Sequence, residues 1–183
     1  MIITFAVNLI ISSIILGYAY IFKLIFFKKK NLVINNLDFV YGVFLISLIA
    51  VFFNFFLPIL YLKNILYIIG LSFFLISVYK KKIEINFYIF ILFLFIFSFF
   101  TYWNGNNVDS PVYHIQTINW SHDKKVTFGL AILDWHYAIN SIWHIFLSVL
   151  QIKYNDFSSI YIISFIIFSF ALTEAVTLKK KYI

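Results

Sequence analysis

The residues best suited to chemistry are concentrated in one segment, residues 103–156. It holds all four tryptophans, all four histidines and four of the seven acidic residues of the chain. Carboxylates and imidazoles act as general acids, general bases and metal ligands, so we expect catalysis or recognition here. Tryptophan alone indicates less, because it also anchors helices at a membrane–water boundary. These residues are Trp103, Trp120, Trp135, Trp143, His114, His122, His136, His144, Asp109, Asp123, Asp134 and Asp156.

The rest of the chain is strongly apolar. Of its 183 residues, 63% are hydrophobic and 11% are charged, and the mean hydropathy is +0.97, whereas about a quarter of a soluble domain is charged. A membrane crossing needs about 20 apolar residues, so the pattern predicts an all-α polytopic transmembrane protein. Its predicted spans are residues 2–27, 39–60, 65–79, 86–102 and 158–178. Lys63 and Asn64 are interpreted as a tight break between the second and third runs.

Charge indicates the orientation of these spans. The net charge is +7, but the lysines occur mainly as triplets that directly follow apolar runs: Lys28–Lys30, Lys80–Lys82 and Lys179–Lys181. This placement is typical of cytoplasmic span ends and favours lipid headgroups over nucleic acid as the anionic partner. The chain has no cysteine, which excludes disulfides and thiol chemistry. No basic leader or cleavage site precedes the first run, so it is interpreted as a retained span.

Residues 137–152 decide between five and six spans. Asn140, His144, Ser148 and Gln151 follow a helical period and form one polar stripe on an otherwise apolar helix, which favours a juxtamembrane helix. Five spans keep all the lysine triplets on one side, with the N-terminus outside and the C-terminus in the cytoplasm. A sixth span at 137–152 is the alternative.

Three regions follow from this topology. Residues 1–102 form a four-span membrane region, residues 103–157 an exterior loop with two juxtamembrane helices, and residues 158–183 the final span with a basic tail. Lys23 lies near enough to the end of the first run to extend its ammonium to the interface. Glu174 is either a functional intramembrane acid or a carboxylate reached by Lys181, seven residues later.

The loop begins with a turn at 104–107, and Ser110 and Pro111 predict a helix that starts there and ends near His122. Asp109 is a candidate general base or metal-binding carboxylate, or an acid that favours the helix start. His114 is a candidate proton shuttle or phosphate contact, or an interfacial ring. Asp134 and His136 could ligate a metal, although no zinc signature is present.

Two stretches of the loop resemble a known pattern. Asp109-Ser-Pro-Val-Tyr-His-Ile-Gln-Thr-Ile-Asn-Trp120 resembles the motif D-x-x-x-Y-H-L-Q-x-I-x-W of a family of large, poorly characterised bacterial polytopic membrane proteins. Gly129-Leu-Ala-Ile-Leu-Asp-Trp-His-Tyr-Ala-Ile-Asn140-Ser-Ile-Trp143 resembles the next segment of the same family. The two matches keep their order and spacing across residues 109–143. That family in turn resembles the GT-C glycosyltransferases, multispan enzymes that take a sugar from a polyprenyl-phosphate carrier.

The resemblance implies an activity and a site. It implies transfer of a sugar from a polyprenyl-phosphate-linked donor in cell-envelope glycan assembly at the inner membrane. Asp109 would be the general base, and His114 or His136, together with Lys124 and Lys125, would offset charge on the departing lipid phosphate. The implied substrate-binding residues are Tyr113, Gln116, Trp120, Asp134, His136, Asn140 and Trp143. No cofactor is assigned, and a divalent metal ion stays open.

A second hypothesis is a non-catalytic membrane protein whose loop binds a glycolipid or a partner protein in envelope polysaccharide assembly. The brevity of the chain favours it, because GT-C-type proteins usually have more spans beyond this loop. For the same reason we expect a missing C-terminal part or an additional membrane subunit. An ion-coupled transporter is disfavoured, since the spans hold almost no ionisable groups and no paired broken helices.

Overall fold

The computed structural model describes residues 2–27, 32–103, 115–127, 142–154, 157–158 and 162–181. In these residues the predicted all-α class is confirmed. The helices are α1 (Ile2–Phe26), α2 (Phe39–Asn54), α3 (Ile59–Tyr79), α4 (Phe87–Trp103), α5 (Ile115–Asp123), α6 (Ile142–Leu150) and α7 (Ile162–Lys181). A 3₁₀ turn, Asn36–Asp38, leads into α2. The sequence pattern does not predict the antiparallel strand pair β1 (Lys153–Tyr154) and β2 (Phe157–Ser158), which joins Lys153 to Ser158 and Tyr154 to Phe157.

Each predicted apolar run forms a helix. Among the described residues, three helices are long and apolar enough to cross a membrane: α1, α2 together with its 3₁₀ turn, and α3. Helix α4 has 17 residues, and α7 has 20 residues that include Glu174 and the last lysine triplet. Of the three long helices, α1 is the most buried and α3 the most exposed.

The break between the second and third apolar runs lies at Phe55–Pro58, so the predicted break at Lys63 and Asn64 is wrong. Both residues lie inside α3, which begins at Ile59 and is 21 residues long. Proline has no amide hydrogen and disfavours helical conformations in the residue before it, so Pro58 separates the helices. Lysine and asparagine lower helix propensity only slightly, and a helix therefore continues through them.

The chain forms two compact units. Unit 1 comprises Met1–Leu45, Tyr67–Asn104 and Tyr161–Ile183, and unit 2 comprises Ile46–Leu66 and Gly105–Ile160. Helices α2 and α3 each contribute residues to both units. Unit 1 contains most of the apolar helices, whereas unit 2 contains α5, α6 and the strand pair.

Aromatic rings pack α4 against α7 in unit 1. The ring centroids of Phe90 and Phe170 are 4.4 Å apart, and those of Phe97 and Phe165 are 5.6 Å apart. Phe97 follows Phe90 in α4, whereas its partner Phe165 precedes Phe170 in α7, so the two helices are antiparallel. Phe39, the first residue of α2, stacks on Phe170 at 5.1 Å. These rings fix α7 beside α4 and the start of α2.

Glycines bring the backbones of α2 and α3 close to α1 in the same unit. A Cβ atom on Gly17 would lie 1.9 Å from the carbonyl oxygen of Gly70, and one on Gly42 would lie 2.0 Å from that of Ile15. Any larger residue at Gly17 or Gly42 would therefore force the helices apart. Small residues at such contacts are the usual means by which apolar helices gain van der Waals packing without a hydrophobic driving force.

Helix α3 ends at its lysine triplet in a Schellman motif. Lys81 has φ 52°, the left-handed conformation that the motif needs and that glycine usually supplies. The amide of Lys82 donates to the carbonyl of Ser77 and the amide of Lys81 to that of Val78, each at 2.9 Å. This turn directs the chain away from the helix axis.

The turn also joins the α3–α4 connection to the α1–α2 connection. The amide of Ile34 donates to the carbonyl of Lys82 at 2.7 Å, and the amide of Glu84 donates to the carbonyl of Ile34 at 2.9 Å. Ile34 and Ile83 thereby form a parallel β-bridge. The two connections that follow lysine triplets therefore lie side by side.

Lys23 has a partner inside the protein instead of extending to an interface. Its ammonium forms an ion pair with the Asp38 carboxylate, and the two side chains are only 12% and 11% exposed. The same ammonium donates to the carbonyl of Val33 at 2.6 Å, and the Asp38 carboxylate accepts the amide of Asn35 at 2.7 Å. The ion pair thus holds the α1–α2 connection against the end of α1.

Glu174 also has a partner that the sequence pattern does not indicate. The Asn36 side-chain amide donates to its carboxylate at 2.7 Å, and Asn36 is 3% exposed. The side chain of Lys181, the predicted partner, lies outside the described part of the structure. The hydrogen bond places the C-terminal half of α7 beside the 3₁₀ turn.

We predict that Asp38→Asn destabilises the protein by about 3 kcal/mol, because it leaves the Lys23 ammonium buried without its countercharge. Thermal unfolding of the purified protein in detergent, followed by circular dichroism, measures the effect. Glu84→Gln, which neutralises an exposed acid of the same unit, is the control and should leave the melting temperature unchanged. Equal melting temperatures for Asp38→Asn and the control would show that the ion pair contributes nothing.

Candidate functional site

Helix α5 lies in the segment that the sequence marks for chemistry and has two distinct faces. Its buried residues are Thr117, Ile118, Ser121 and His122. Gln116 and Trp120, one helical turn apart, are exposed, and Trp120 is 39% exposed. The structure therefore brings two predicted substrate-binding residues onto one accessible face of α5.

The other predicted residues divide into two groups. Trp143 is half-buried at the start of α6, and its ring centroid is 5.4 Å from that of Phe146. Asp109, Tyr113, His114, Asp134, His136 and Asn140 lie outside the described residues, as does the predicted helix start at Ser110 and Pro111. The assignments of Asp109 and His114 as catalytic residues stay predictions.

Helix α6 is buried on both faces, whereas an interfacial helix exposes its polar face to water. The polar stripe is present, and His144, Ser148 and Gln151 lie on it, but all three are buried. The opposite face is buried as well, from Ile145 to Leu150. Polar groups in such a position need hydrogen bonds within the protein, and Ser148 donates its hydroxyl to the carbonyl of Ile145 at 2.6 Å.

Asn54, the last residue of α2, fixes the end of α5 in unit 2. It is 1% exposed, and its side-chain amide donates to the carbonyls of Ser121 and Lys124 at 3.1 and 3.2 Å. Its own carbonyl accepts the amide of Val126 at 2.9 Å. The last carbonyls of a helix lack partners within the helix, and Asn54 supplies donors for this end.

Lys63 and Gln151 connect α3, α6 and α5. The Lys63 ammonium donates to the main-chain carbonyl of Gln151, the residue that follows α6, where a cation is favoured by the helix dipole. The Gln151 side-chain amide donates to the Asn119 side-chain oxygen of α5 at 2.6 Å. Gln151 is 1% exposed. Gln151 thus links the end of α6 to the middle of α5 and to the first turns of α3.

His122 and Asp123 form a second polar pair at the end of α5. The Nδ1 atom of His122 is 2.7 Å from the Asp123 carboxylate, whose side chain is 55% exposed. His122 itself is 8% exposed, and its Nε2 atom has no hydrogen-bond partner among the described residues. A carboxylate on Nδ1 fixes both the orientation of an imidazole and the position of its proton.

The polar side chains that organise this site are not among the predicted site residues: Asn54, Lys63, Asn119, His122 and Gln151. Asn54 ends α2 and Lys63 lies in the first turns of α3, and the only signal for them in the sequence is a polar residue within or beside an apolar run. Within the described residues, no group of three His, Cys, Asp or Glu side chains could hold a metal ion. The five side chains named above offer a ligand hydrogen bonds and the ammonium charge of Lys63.

The fold is that of a helical protein with three helices, among the residues described, long and apolar enough to cross a membrane. The chain belongs to the family defined as a domain of unknown function, DUF8201, which it matches over residues 1–183. No curated protein and no solved structure matches the chain.

We predict that Asn54→Leu loosens the end of α5. The substitution removes both donors from buried carbonyls, at a cost of about 1–3 kcal/mol. Hydrogen exchange of the amides over 115–127 should accelerate roughly tenfold, the ratio that corresponds to about 1.4 kcal/mol. Ser148→Ala, whose hydroxyl bonds only within its own helix, should leave that exchange unchanged. Unaltered exchange in Asn54→Leu would mean that other contacts hold α5.

Proposed function

We propose that this chain is an integral membrane protein with five crossings, α1, α2, α3, α4 and α7, in a cell inner membrane. The exposed side chains of its helices support this assignment. Along α3 the exposed residues include Ile65, Ile68, Leu75 and Ile76, and α2 and α4 expose further phenylalanines and leucines. Soluble proteins rarely expose contiguous apolar patches of this kind, whereas lipid covers them.

Two contacts in unit 1 support five crossings over six. Helices α4 and α7 are antiparallel. Two consecutive crossings of a membrane must run in opposite directions, so this direction agrees with no further crossing between them. The hydrogen bond from Asn36 places the Glu174 half of α7 beside the α1–α2 connection. With a sixth crossing at 137–152, α7 would run in the opposite direction, and Glu174 would lie far from Asn36.

Contacts in unit 2 support an exterior position for the loop. In the proposed topology, the α2–α3 connection and the α4–α7 loop lie on the same side of the membrane. Asn54, at one end of that connection, bonds to the end of α5, and Lys63, near its other end, bonds to the residue after α6. The two loop helices are therefore tied to the exterior ends of two spans.

The function that we propose is GT-C-like sugar transfer from a polyprenyl-phosphate-linked donor during cell-envelope glycan assembly. The observation that carries it is the paired motif across residues 109–143. The anchoring of α5, which contains the second half of the first motif, beside the span ends supports it, because a lipid-linked substrate enters from the membrane. Asp109 would accept the proton of the acceptor hydroxyl as general base, and the Lys63 ammonium at the carbonyl of Gln151 is a cation beside the loop helix α6.

A non-catalytic protein that binds a glycolipid is the second candidate. The polar groups around Gln151 favour it, because amides and an ammonium recognise a sugar phosphate without any chemical step. In that case the loop would present the glycolipid to another membrane protein of envelope polysaccharide assembly.

Labelling of single cysteines tests the five-crossing topology, and the natural chain offers a background without cysteine. On intact cells a membrane-impermeant maleimide should label Lys125→Cys, which is exposed in the loop. It should label Lys80→Cys and Lys179→Cys only after permeabilisation. Labelling of Lys179→Cys from outside would instead establish six crossings.

A transfer assay tests the glycosyltransferase function. Membranes that contain the full chain should transfer sugar from a polyprenyl-phosphate hexose, and Asp109→Asn should lower the rate by about a hundredfold or more, the contribution of a general base. Glu84→Gln is the control and should transfer normally. Full activity of Asp109→Asn would exclude it as the base, and binding of the donor without any transfer by the natural chain would favour the second candidate.

A further inference from the structure

On α5 and in the residue that follows α6, two buried side-chain atoms have no hydrogen-bond partner among the described residues. They are the Nε2 atom of His122 and the side-chain oxygen of Gln151. His122 is 8% exposed and Gln151 is 1% exposed, so bulk water reaches neither residue freely. A buried polar atom without a partner costs about 1–3 kcal/mol, and each such atom in a folded protein calls for a reason.

The two acceptors belong to one cluster. Asn119 and His122 stand three positions apart on α5, a spacing that makes side chains neighbours on a helix. The Gln151 amide nitrogen is 2.6 Å from the Asn119 side-chain oxygen, so the rest of that amide lies beside the same turn of α5. Helix α6 packs against α5, and the side chain of Gln151, the residue after α6, contacts the turn of α5 that begins at Asn119 and includes His122.

The tautomer of the neutral His122 ring follows from its neighbour. An ionised carboxylate can only accept hydrogen bonds, so the 2.7 Å contact with Asp123 assigns the proton to Nδ1. In the neutral imidazole, Nε2 then carries a lone pair and no hydrogen. The ring is held in place by Asp123 and presents an acceptor.

The chemistry of this cluster selects the ligand. Two acceptors need two donors, and a polyhydroxylated ligand offers several at short spacing. The Lys63 ammonium on the Gln151 main chain disfavours a bound cation. Amide side chains beside an acceptor imidazole suit sugar hydroxyls, which both donate and accept.

We propose that His122, Asn119 and Gln151 form a hydroxyl-accepting site for the sugar of the lipid-linked substrate. The inference rests on the proposed function, and it assigns the recognition of the sugar, as distinct from its lipid phosphate, to these residues. Hydroxyls of the sugar donate to Nε2 of His122 and to the side-chain oxygen of Gln151.

The test compares two probes, a polyprenyl phosphate and the same lipid that carries a hexose on its phosphate. Binding of each to the full chain in lipid nanodiscs is measured by native mass spectrometry. The natural chain should prefer the sugar-bearing lipid. His122→Asn, which keeps a donor for Asp123 but has no atom at the Nε2 position, should lower that preference roughly three- to tenfold, and Gln151→Met should do the same.

Two further variants separate recognition from folding. His122→Gln restores an acceptor near the Nε2 position and should recover part of the preference. Ser121→Ala lies on the same buried face, and its hydroxyl bonds only to Thr117 of its own helix, so it should bind as the natural chain does.

Each outcome decides the inference. A lowered preference in His122→Asn and Gln151→Met, with partial recovery in His122→Gln, supports it. If the natural chain binds both lipids equally, or if its preference survives in both variants, the inference is overturned while the proposed lipid-phosphate function stands. If the natural chain binds neither lipid, the proposed function fails and the inference fails with it.

Discussion

A hydrogen bond from Asn36 to Glu174 joins two segments that are 138 residues apart in the chain. A carboxylate within an apolar helix needs a hydrogen-bond donor from elsewhere in the protein, because its apolar neighbours offer none. Asn36 can supply it only if the second half of α7 lies beside the α1–α2 connection. This constraint determines the direction of α7 and therefore its antiparallel packing on α4. The proposed odd number of spans depends on the same direction.

The same principle organises the loop in unit 2. Helices α5 and α6 have nine residues each, too few to be stable alone in water. Asn54 bonds to the end of α5 and Lys63 to the carbonyl after α6, so polar residues at the ends of α2 and α3 hold both helices in place. The site therefore depends on where α2 ends and α3 begins.

The sequence predicts the helices of the fold better than the contacts between them. Five apolar runs become helices because hydrophobic length alone determines them. The break between the second and third runs follows backbone geometry at Pro58, whereas charge alone misplaces it at Lys63. The polar stripe through His144 and Gln151 is present, but periodicity does not show that α5 covers it. Contacts such as Asn54 with Ser121 join residues distant in sequence, and no local pattern specifies them.

The candidate site shows the same division. The motif directs attention to the loop, and two of its residues, Gln116 and Trp120, lie on one exposed face of α5. It gives no indication that His122 is held by its neighbour Asp123 or that Gln151 reaches Asn119, because both depend on tertiary packing. Resemblance thus suggests a reaction, whereas the buried hydrogen bonds suggest how a substrate is held.

In the proposed topology of five crossings, the second half of α7 lies beside the α1–α2 connection. Cross-linking measures this directly, because the chain has no cysteine of its own. A short bis-maleimide applied to native membranes should form a thioether with each thiol and join Asn36→Cys to Glu174→Cys, and it should leave Asn36→Cys paired with Ile163→Cys unlinked. Cross-linking of the second pair and not the first would show that α7 runs in the opposite direction, and would contradict the account.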